Sequence, residues 1–210
     1  SYRAHGDFLR ELVTHVNSAV PGWRAEYWSI DNEQGSLYIP AYCPGDVVGP
    51  ECGKKAAEAY ADAVIFSARV IHESDPDAKI VFGGPGGGTP DGEYEYFYKP
   101  ALKALSERHV TGGFDFFDYH NFNVYQGYST NPRGKGLEFF RKMLDDAGLH
   151  GKPIIIKAGA THSGRDNAAT NKRLHAPQTE FEQAEHLIKR YVYHVANGVS
   201  LILWGDIRED

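Results

Sequence analysis

The sequence predicts an α/β fold in which a parallel sheet is covered by helices. Helical and strand-like apolar patterns alternate five times along the 210 residues, and the segments between strands have the length of right-handed helical crossovers. The loops after the strands carry polar, aromatic and glycine-rich residues, whereas the loops before the strands are short. Barrels and doubly wound sheets both place function at the carboxyl ends of strands, so this asymmetry locates a site without choosing between the two folds.

The first segments of the chain predict a helix, a strand and a long loop. Apolar residues at helical spacing predict an amphipathic helix over residues 4–18, which Pro21 and Gly22 end. The apolar and aromatic run over 25–30 predicts a buried strand. Residues 34–53 contain three prolines and four glycines, which predicts a long loop.

The rest of the chain continues the alternation, with one helix whose start is marked by a motif. Thr179 and Glu182 have the spacing of a capping box at a helix start. In chain order the predicted elements are a helix at 54–72, a strand at 79–82, a helix at 94–108, a strand at 114–119, a helix at 135–147, a strand at 153–157, a helix at 179–197 and a strand at 199–204.

Composition and charge exclude several classes of partner. The 22 basic and 28 acidic residues give a net charge of −6, and no Lys/Arg run is present, so we expect no nucleic-acid partner. No apolar stretch approaches about 20 residues, so we expect no membrane span. The histidines lack metal-ligand spacing, and Gly83 to Gly88 lacks a nucleotide-binding pattern, so we expect neither a metal nor a cofactor.

The two cysteines leave the cellular location open. Cys43 and Cys52 flank a turn-rich segment that can close as a small disulfide, which would indicate a secreted or periplasmic protein. The alternative is two free thiols in a loop, and the location is then unknown.

One strand end carries an amide and a carboxylic acid. The apolar strand ending at Ile30 is followed by Asp31, Asn32 and Glu33. A carboxyl group at such a position acts as a general acid if burial raises its pKa, and an adjacent Asn can bind a substrate hydroxyl. The alternative is an ordinary solvated acid at the start of a loop.

Four strand ends together resemble one enzyme superfamily. The segments are Trp28-Ser29-Ile30-Asp31-Asn32-Glu33, Gly83-Gly84-Pro85, Phe114 through His120, and Leu201-Ile202-Leu203-Trp204. They are similar, in this order, to motifs of the retaining glycoside hydrolases of the large (β/α)8 clan that includes β-xylosidases and cellulases.

The resemblance implies a partial (β/α)8 TIM barrel with about five parallel strands. The matched strands correspond to the fourth through eighth of that barrel, so we expect one domain over 1–210 that lacks the first three strands. A five-stranded piece has two exposed edges that invite pairing. We therefore expect self-association or a complementing fragment to complete the barrel, unless the chain is a cloned or proteolytic piece.

The resemblance also implies a mechanism with two carboxylates about 5–5.5 Å apart. Glu33 takes the acid/base role and Asn32 contacts the sugar 2-hydroxyl. The nucleophile position falls on Ala158, or on Lys157 in an alternative alignment, and neither residue carries a carboxylate. Either a glutamate was replaced there or the protein is a natural sugar-binding relative. Asp166 and Asp206 are weak candidates for a substitute.

Further residues near the strand ends are expected to bind a carbohydrate ligand. His120 ends the sixth-strand pattern and Trp204 ends the eighth, where the family's Trp forms the floor of the sugar subsite. Aromatic rings cover the apolar faces of sugars, although a strand-end aromatic can equally belong to the core. The complete substrate-binding set is Trp28, Asn32, His120, Tyr119, Tyr125, His162 and Trp204. A non-catalytic carbohydrate-binding protein and an unrelated doubly wound enzyme are the alternatives.

Overall fold

A computed structural model describes most of the chain. The described residues are 2–86, 89–109, 111–122, 128–130, 134–160 and 179–204. The predicted site residues Tyr125 and His162, and the acids Asp166 and Asp206, lie outside them.

The strands form one parallel sheet. They are β1 Tyr27–Ile30, β2 Lys79–Phe82, β3 Phe116–Asp118, β4 Asn121–Phe122, β5 Ile154–Ala160 and β6 Val199–Trp204. The order across the sheet is β1-β2-β3-β5-β6, and β4 pairs with β5 beyond the end of β3. Every strand pairing in this sheet is parallel. The predicted five parallel strands with flanking helices are confirmed, with the two-residue β4 added.

The helices match the predicted alternation, with one correction. They are α1 Tyr2–Ala19, α2 Gly35–Tyr42, α3 Pro50–Ser74, α4 Asp91–Glu93, α5 Lys99–Arg108, α6 Leu137–Asp146 and α7 Glu180–Ala196. The prediction of a loop over 34–53 was wrong, because that segment contains α2 and the first turn of α3. Burial of Ile39 stabilises α2 despite Pro40 inside it, and Pro50 suits the first position of α3.

The two faces of the sheet differ in chemistry. Ile30, Phe82 and Phe117 belong to the buried core under the helices, and the Phe82 and Phe117 rings stack at 5.3 Å. Because side chains alternate along a strand, the neighbouring Ser29 and Asp118 lie on the opposite, inner face. That face therefore carries the polar side chains.

A disulfide joins Cys43 at the end of α2 to Cys52 in the first turn of α3, with the two Cα atoms 5.1 Å apart. The disulfide alternative is thus confirmed. None of the described helices is long and apolar enough to cross a bilayer.

Candidate functional site at the carboxyl ends of the strands

Three of the predicted site residues meet at the carboxyl ends of β1 and β3. The two ring nitrogens of His120 lie 3.0 Å from Glu33 Oε1 and 2.9 Å from Asn32 Oδ1. His120 is 3% exposed, whereas the Glu33 side chain is 48% exposed. A buried imidazole therefore orients an amide and a carboxyl group that solvent and ligands can reach.

The backbone around Glu33 adopts an unusual conformation. Asp31 and Glu33 have φ angles of 58° and 51°, in the left-handed region that non-glycine residues rarely occupy. The Glu33 amide donates to the Gly84 carbonyl at 3.2 Å, which anchors this turn to the loop after β2. Such strained residues are concentrated at functional sites.

The glycine-rich loop after β2 makes room for the Glu33 side chain. A Cβ atom at position 86 would lie only 2.7 Å from Glu33 Oε1, so a side chain there would displace the Glu33 carboxyl group. The amide of His120 also donates to the Pro85 carbonyl at 3.2 Å. The Gly-Gly-Pro segment thus holds the ends of β1 and β3 together.

Beneath these residues lies an acid that the sequence reasoning missed. Asp118 is fully buried and accepts hydrogen bonds from the amides of Lys157 at 2.8 Å and Gly84 at 3.3 Å. Burial raises the pKa of Asp118, and those two amides, the Lys157 ammonium and His120 partly oppose the rise. Its place two residues before His120, on the same face of the strand, was the signal in the sequence.

A second missed carboxyl group lies next to Glu33. Glu93, on α4, is half-buried with its carboxyl group packed against Gly35, the first residue of α2. Burial raises the pKa of Glu93, and the negative charge of Glu33 raises it further. No sequence pattern indicates this proximity, because it depends on how the loop after β2 folds back.

Trp28 and Tyr119 are not brought to this group. Trp28 packs against the core, and its indole N–H donates to the Ala25 carbonyl at 3.1 Å. Tyr119 is buried, stacks on Phe140 at 4.3 Å, and its hydroxyl lies 3.0 Å from His194 Nε2. Tyr119 and His120 are adjacent in the chain and therefore point to opposite faces.

Trp204 lies at the end of β6, where it pairs with Gly159 of β5. Its ring is 5.6 Å from the Arg190 guanidinium group of α7. The indole N–H is buried and has no hydrogen-bond partner within the part of the chain that the structure describes.

The end of β5 supplies no carboxylate. Ala158 is half-buried, and the register with β6 shifts between Ile156 and Gly159. Lys157 extends its ammonium group to Ser29 Oγ at 2.6 Å and lies 3.6 Å from Asp118. In the described ranges, no cluster of three or more His, Cys, Asp or Glu side chains is arranged to hold a metal ion.

Comparisons with known proteins identify the fold. Neither a protein-family model nor a curated protein sequence matches the chain. Among solved structures, it is similar to a glucosidase from Croceicoccus marinus, with a TM-score of 0.60 and 14% identity over 97% of this chain and 38% of the other. A glycoside hydrolase family 44 xyloglucanase from Paenibacillus polymyxa gives a TM-score of 0.58 and 14% identity over 98% and 46% of the two chains.

Xylanase 10B from Thermotoga petrophila, solved with xylobiose, gives a TM-score of 0.54 and 17% identity over 95% of this chain and 52% of the other. The chain thus spans about half or less of the length of these glycoside hydrolases. At such identities the similarity establishes the fold, which is part of a TIM barrel shared with glycoside hydrolases.

Proposed function

We propose that the chain is the sugar-contacting portion of a glycoside-hydrolase-like protein that acts on or binds β-linked glycans. The observation that carries the proposal is the cluster of Glu33, Asn32 and His120 at the carboxyl ends of β1 and β3. In a barrel fold that end of the sheet carries function. The fold neighbours, which include a glucosidase, a xyloglucanase and a xylanase, support the same class of ligand.

In this proposal Glu33 is the acid/base of a retaining mechanism. Its half-exposed carboxyl group can donate a proton to the glycosidic oxygen, and Asn32 beside it can bind the sugar 2-hydroxyl. The covalent step requires a second carboxylate as nucleophile. Positions 157 and 158 hold Lys and Ala, so we expect hydrolysis by this chain to be very weak or absent.

The second candidate is a carbohydrate-binding protein without catalysis. The Lys157 contacts favour it, because a lysine with hydrogen-bonding partners on β1 and β3 occupies the end of β5. Binding then uses the same Asn32, Glu33 and His120 group, but no covalent intermediate forms.

The test is turnover of a panel of aryl β-glycosides by the chain and by Ala158→Glu and Lys157→Glu. Each protein is assayed with and without formate or azide, because a small anion can replace a missing carboxylate nucleophile. We expect the added anion or one Glu variant to produce activity, with Glu33→Gln in the same background as the inactive control. Turnover of xylobiose or cellobiose without added anion that survives Glu33→Gln would contradict the acid/base assignment, because a sugar leaving group needs a proton donor.

The same panel separates the two candidates. If xylobiose or cellobiose binds while no variant and no anion gives turnover, the binding protein is the better description. If the folded chain neither binds nor cleaves any sugar, both candidates fail.

Assembly and location are further parts of the proposal. Among the described strands, β1 pairs only with β2, and β6 only with β5. An apolar row on α7, formed by Phe181, Ile188, Val192 and Val195, is exposed near the β6 edge. These features support completion of the barrel by self-association or by a separate fragment. A monomeric solution mass with a cooperative melt would contradict the assembly proposal.

The disulfide supports a secreted or periplasmic location.

A further inference from the structure

We propose that Lys157 and Asp118 form an ion pair that positions Asn32 and Glu33. Lys157 lies near the end of β5, which corresponds to the strand where a retaining enzyme of this fold keeps its nucleophile. This inference rests on the proposed sugar-binding function, because it concerns the residues that would contact the sugar. Lys157 and Asp118 are positioning residues, since they act through Asp31, Gly84 and His120.

Asp118 connects three strand ends from beneath the site. One carboxylate oxygen accepts the Lys157 amide at 2.8 Å, and the other accepts the Gly84 amide at 3.3 Å. The second oxygen also lies 3.7 Å from His120 Nε2. A fully buried carboxylate with these neighbours requires a nearby cation, because an unpaired buried charge is strongly unfavourable.

Lys157 is that cation, and it extends the connection to β1. Its ammonium group lies 3.6 Å from Asp118 Oδ2 and donates to Ser29 Oγ at 2.6 Å. A weaker contact, at 3.4 Å, reaches the carbonyl of Asp31. The Ser29 hydroxyl donates to the same carbonyl at 3.0 Å. The ammonium group therefore contacts β1 and β3 from its place on β5.

These contacts fix the turn that presents the sugar-binding groups. Asp31 is the first of the two left-handed residues, and the Asp31 carbonyl that Lys157 and Ser29 bind directly precedes Asn32. The other left-handed residue, Glu33, is anchored through Gly84, whose amide donates to Asp118. His120, next to Asp118, holds both side chains. Each route from the ion pair therefore ends at Asn32 or Glu33.

The pair also disfavours a carboxylate at position 157. A glutamate at position 157 would bring a second negative charge next to buried Asp118, and two carboxylates that close cannot both ionise readily. A lysine at position 157 is electrostatically compatible with the buried aspartate at 118, whereas a glutamate is not.

The experiment compares Lys157→Met, Asp118→Asn and the double variant Lys157→Met/Asp118→Asn with two matched controls. The controls are Lys152→Met and Asp115→Asn, which remove the same charges near the opposite end of the sheet. Lys152 lies over the Phe114 ring at 4.6 Å, and Asp115 accepts the Ile80 amide at 2.8 Å. The double variant removes both charges together, so it is expected to stay folded even where a single variant does not.

The readouts are the NMR signals of the Asn32 side-chain amide and the His120 ring, and the affinity for xylobiose, all measured well below the melting temperature. We expect the pair variants to shift both signals and to weaken xylobiose binding at least tenfold. The controls are expected to change the melting temperature only. Lys157→Arg, which keeps the charge, is expected to recover part of the affinity.

The outcomes separate this inference from the proposed function. Unshifted Asn32 and His120 signals in a folded double variant would overturn the positioning role, whatever the sugar affinity. If the wild-type chain binds no sugar while the pair variants still shift both signals, the proposed function fails and the positioning role stands.

Discussion

The carboxyl ends of β1 and β5 differ in how they are built. The β1 end is strained and half-exposed, with two left-handed residues and a carboxyl group that solvent reaches. At the β5 end lies Lys157, whose amide contacts Asp118 of β3 and whose ammonium group contacts Ser29 of β1. A retaining glycosidase needs a carboxylate at both ends. The β1 end therefore presents an accessible carboxyl group on a strained turn, whereas the β5 end presents a lysine that connects it to β1 and β3.

The comparison predicts the largest loss of stability at the β5 end. Lys157→Met leaves Asp118 buried without its cation, so we expect the free energy of unfolding at pH 7 to fall by about 3 kcal/mol. The difference in the free energy of unfolding between the wild type and Lys157→Met should become smaller as the pH falls through the raised pKa of Asp118, because a protonated carboxyl group needs no cation. Urea unfolding of both proteins from pH 7 to pH 4 measures this. An equal deficit at every pH would show that lost packing, not charge, is responsible.

The next largest loss of stability is expected from removal of the disulfide, which joins α2 to α3 in the segment that follows β1. Cys43 and Cys52 are nine residues apart, and a loop of that size gives about 2.5 kcal/mol in the chain-entropy view. We expect the double variant Cys43→Ser/Cys52→Ser to lose about that much in urea unfolding. The wild-type protein in a reducing agent is the matched control, and it should lose a similar amount. A loss in the variant alone would indicate damage from the serines, above all at the buried position 43.

Backbone strain at Glu33, after β1, predicts that one substitution there raises the free energy of unfolding relative to another. Glycine occupies the left-handed region without penalty, so Glu33→Gly is expected to be more stable than Glu33→Ala by up to about 1 kcal/mol, although both abolish any activity that depends on the carboxyl group. Glu33→Ala is the control, because it removes the same side chain but keeps the strain. Thermal and urea unfolding of the two variants isolate the backbone effect. Equal stability of the Gly and Ala variants would mean that the turn is not strained.

Much of the fold and part of the site follow from the sequence. The five strands were predictable because their apolar runs are bounded by glycine-rich or polar loops. Asn32, Glu33 and His120 were predictable as polar residues directly after or at the ends of such runs. Asp118 was missed because an acid inside an aromatic strand resembles any other strand residue until the alternation is counted back from His120.

Other features are not encoded locally. The segment that forms α2 has the prolines and glycines of a loop, and the helix there depends on burial of Ile39 against the core. Glu93 lies near Glu33 because the chain after β2 folds back over α2. This approach is a tertiary contact that no spacing in the sequence records.

The smallest effect is expected at Glu93. Burial and the charge of Glu33 raise its pKa, so the folded state holds this proton at pH values where the unfolded chain has released it. Stability contributed by the protonated group is therefore present below the unfolded pKa and is lost as the pH rises through the folded pKa. Glu93→Gln should remove this loss of stability at high pH and so stabilise the protein at pH 7. The gain should be less than about 1 kcal/mol, since partial exposure to solvent screens the repulsion between Glu93 and Glu33.

The gain from Glu93→Gln should shrink as the pH falls and disappear below the unfolded pKa of Glu93, where both proteins carry a neutral side chain at position 93. Combining Glu93→Gln with Glu33→Gln separates the two causes of the stability gain. The part due to repulsion by Glu33 vanishes in the Glu33→Gln background, whereas the part due to burial of Glu93 persists. Urea unfolding of the four proteins at pH 7 and pH 4 measures both parts. A gain that is independent of pH would mean that the Glu93 carboxyl group does not titrate differently in the folded protein. Its proximity to Glu33 would then have no electrostatic consequence for the β1 end.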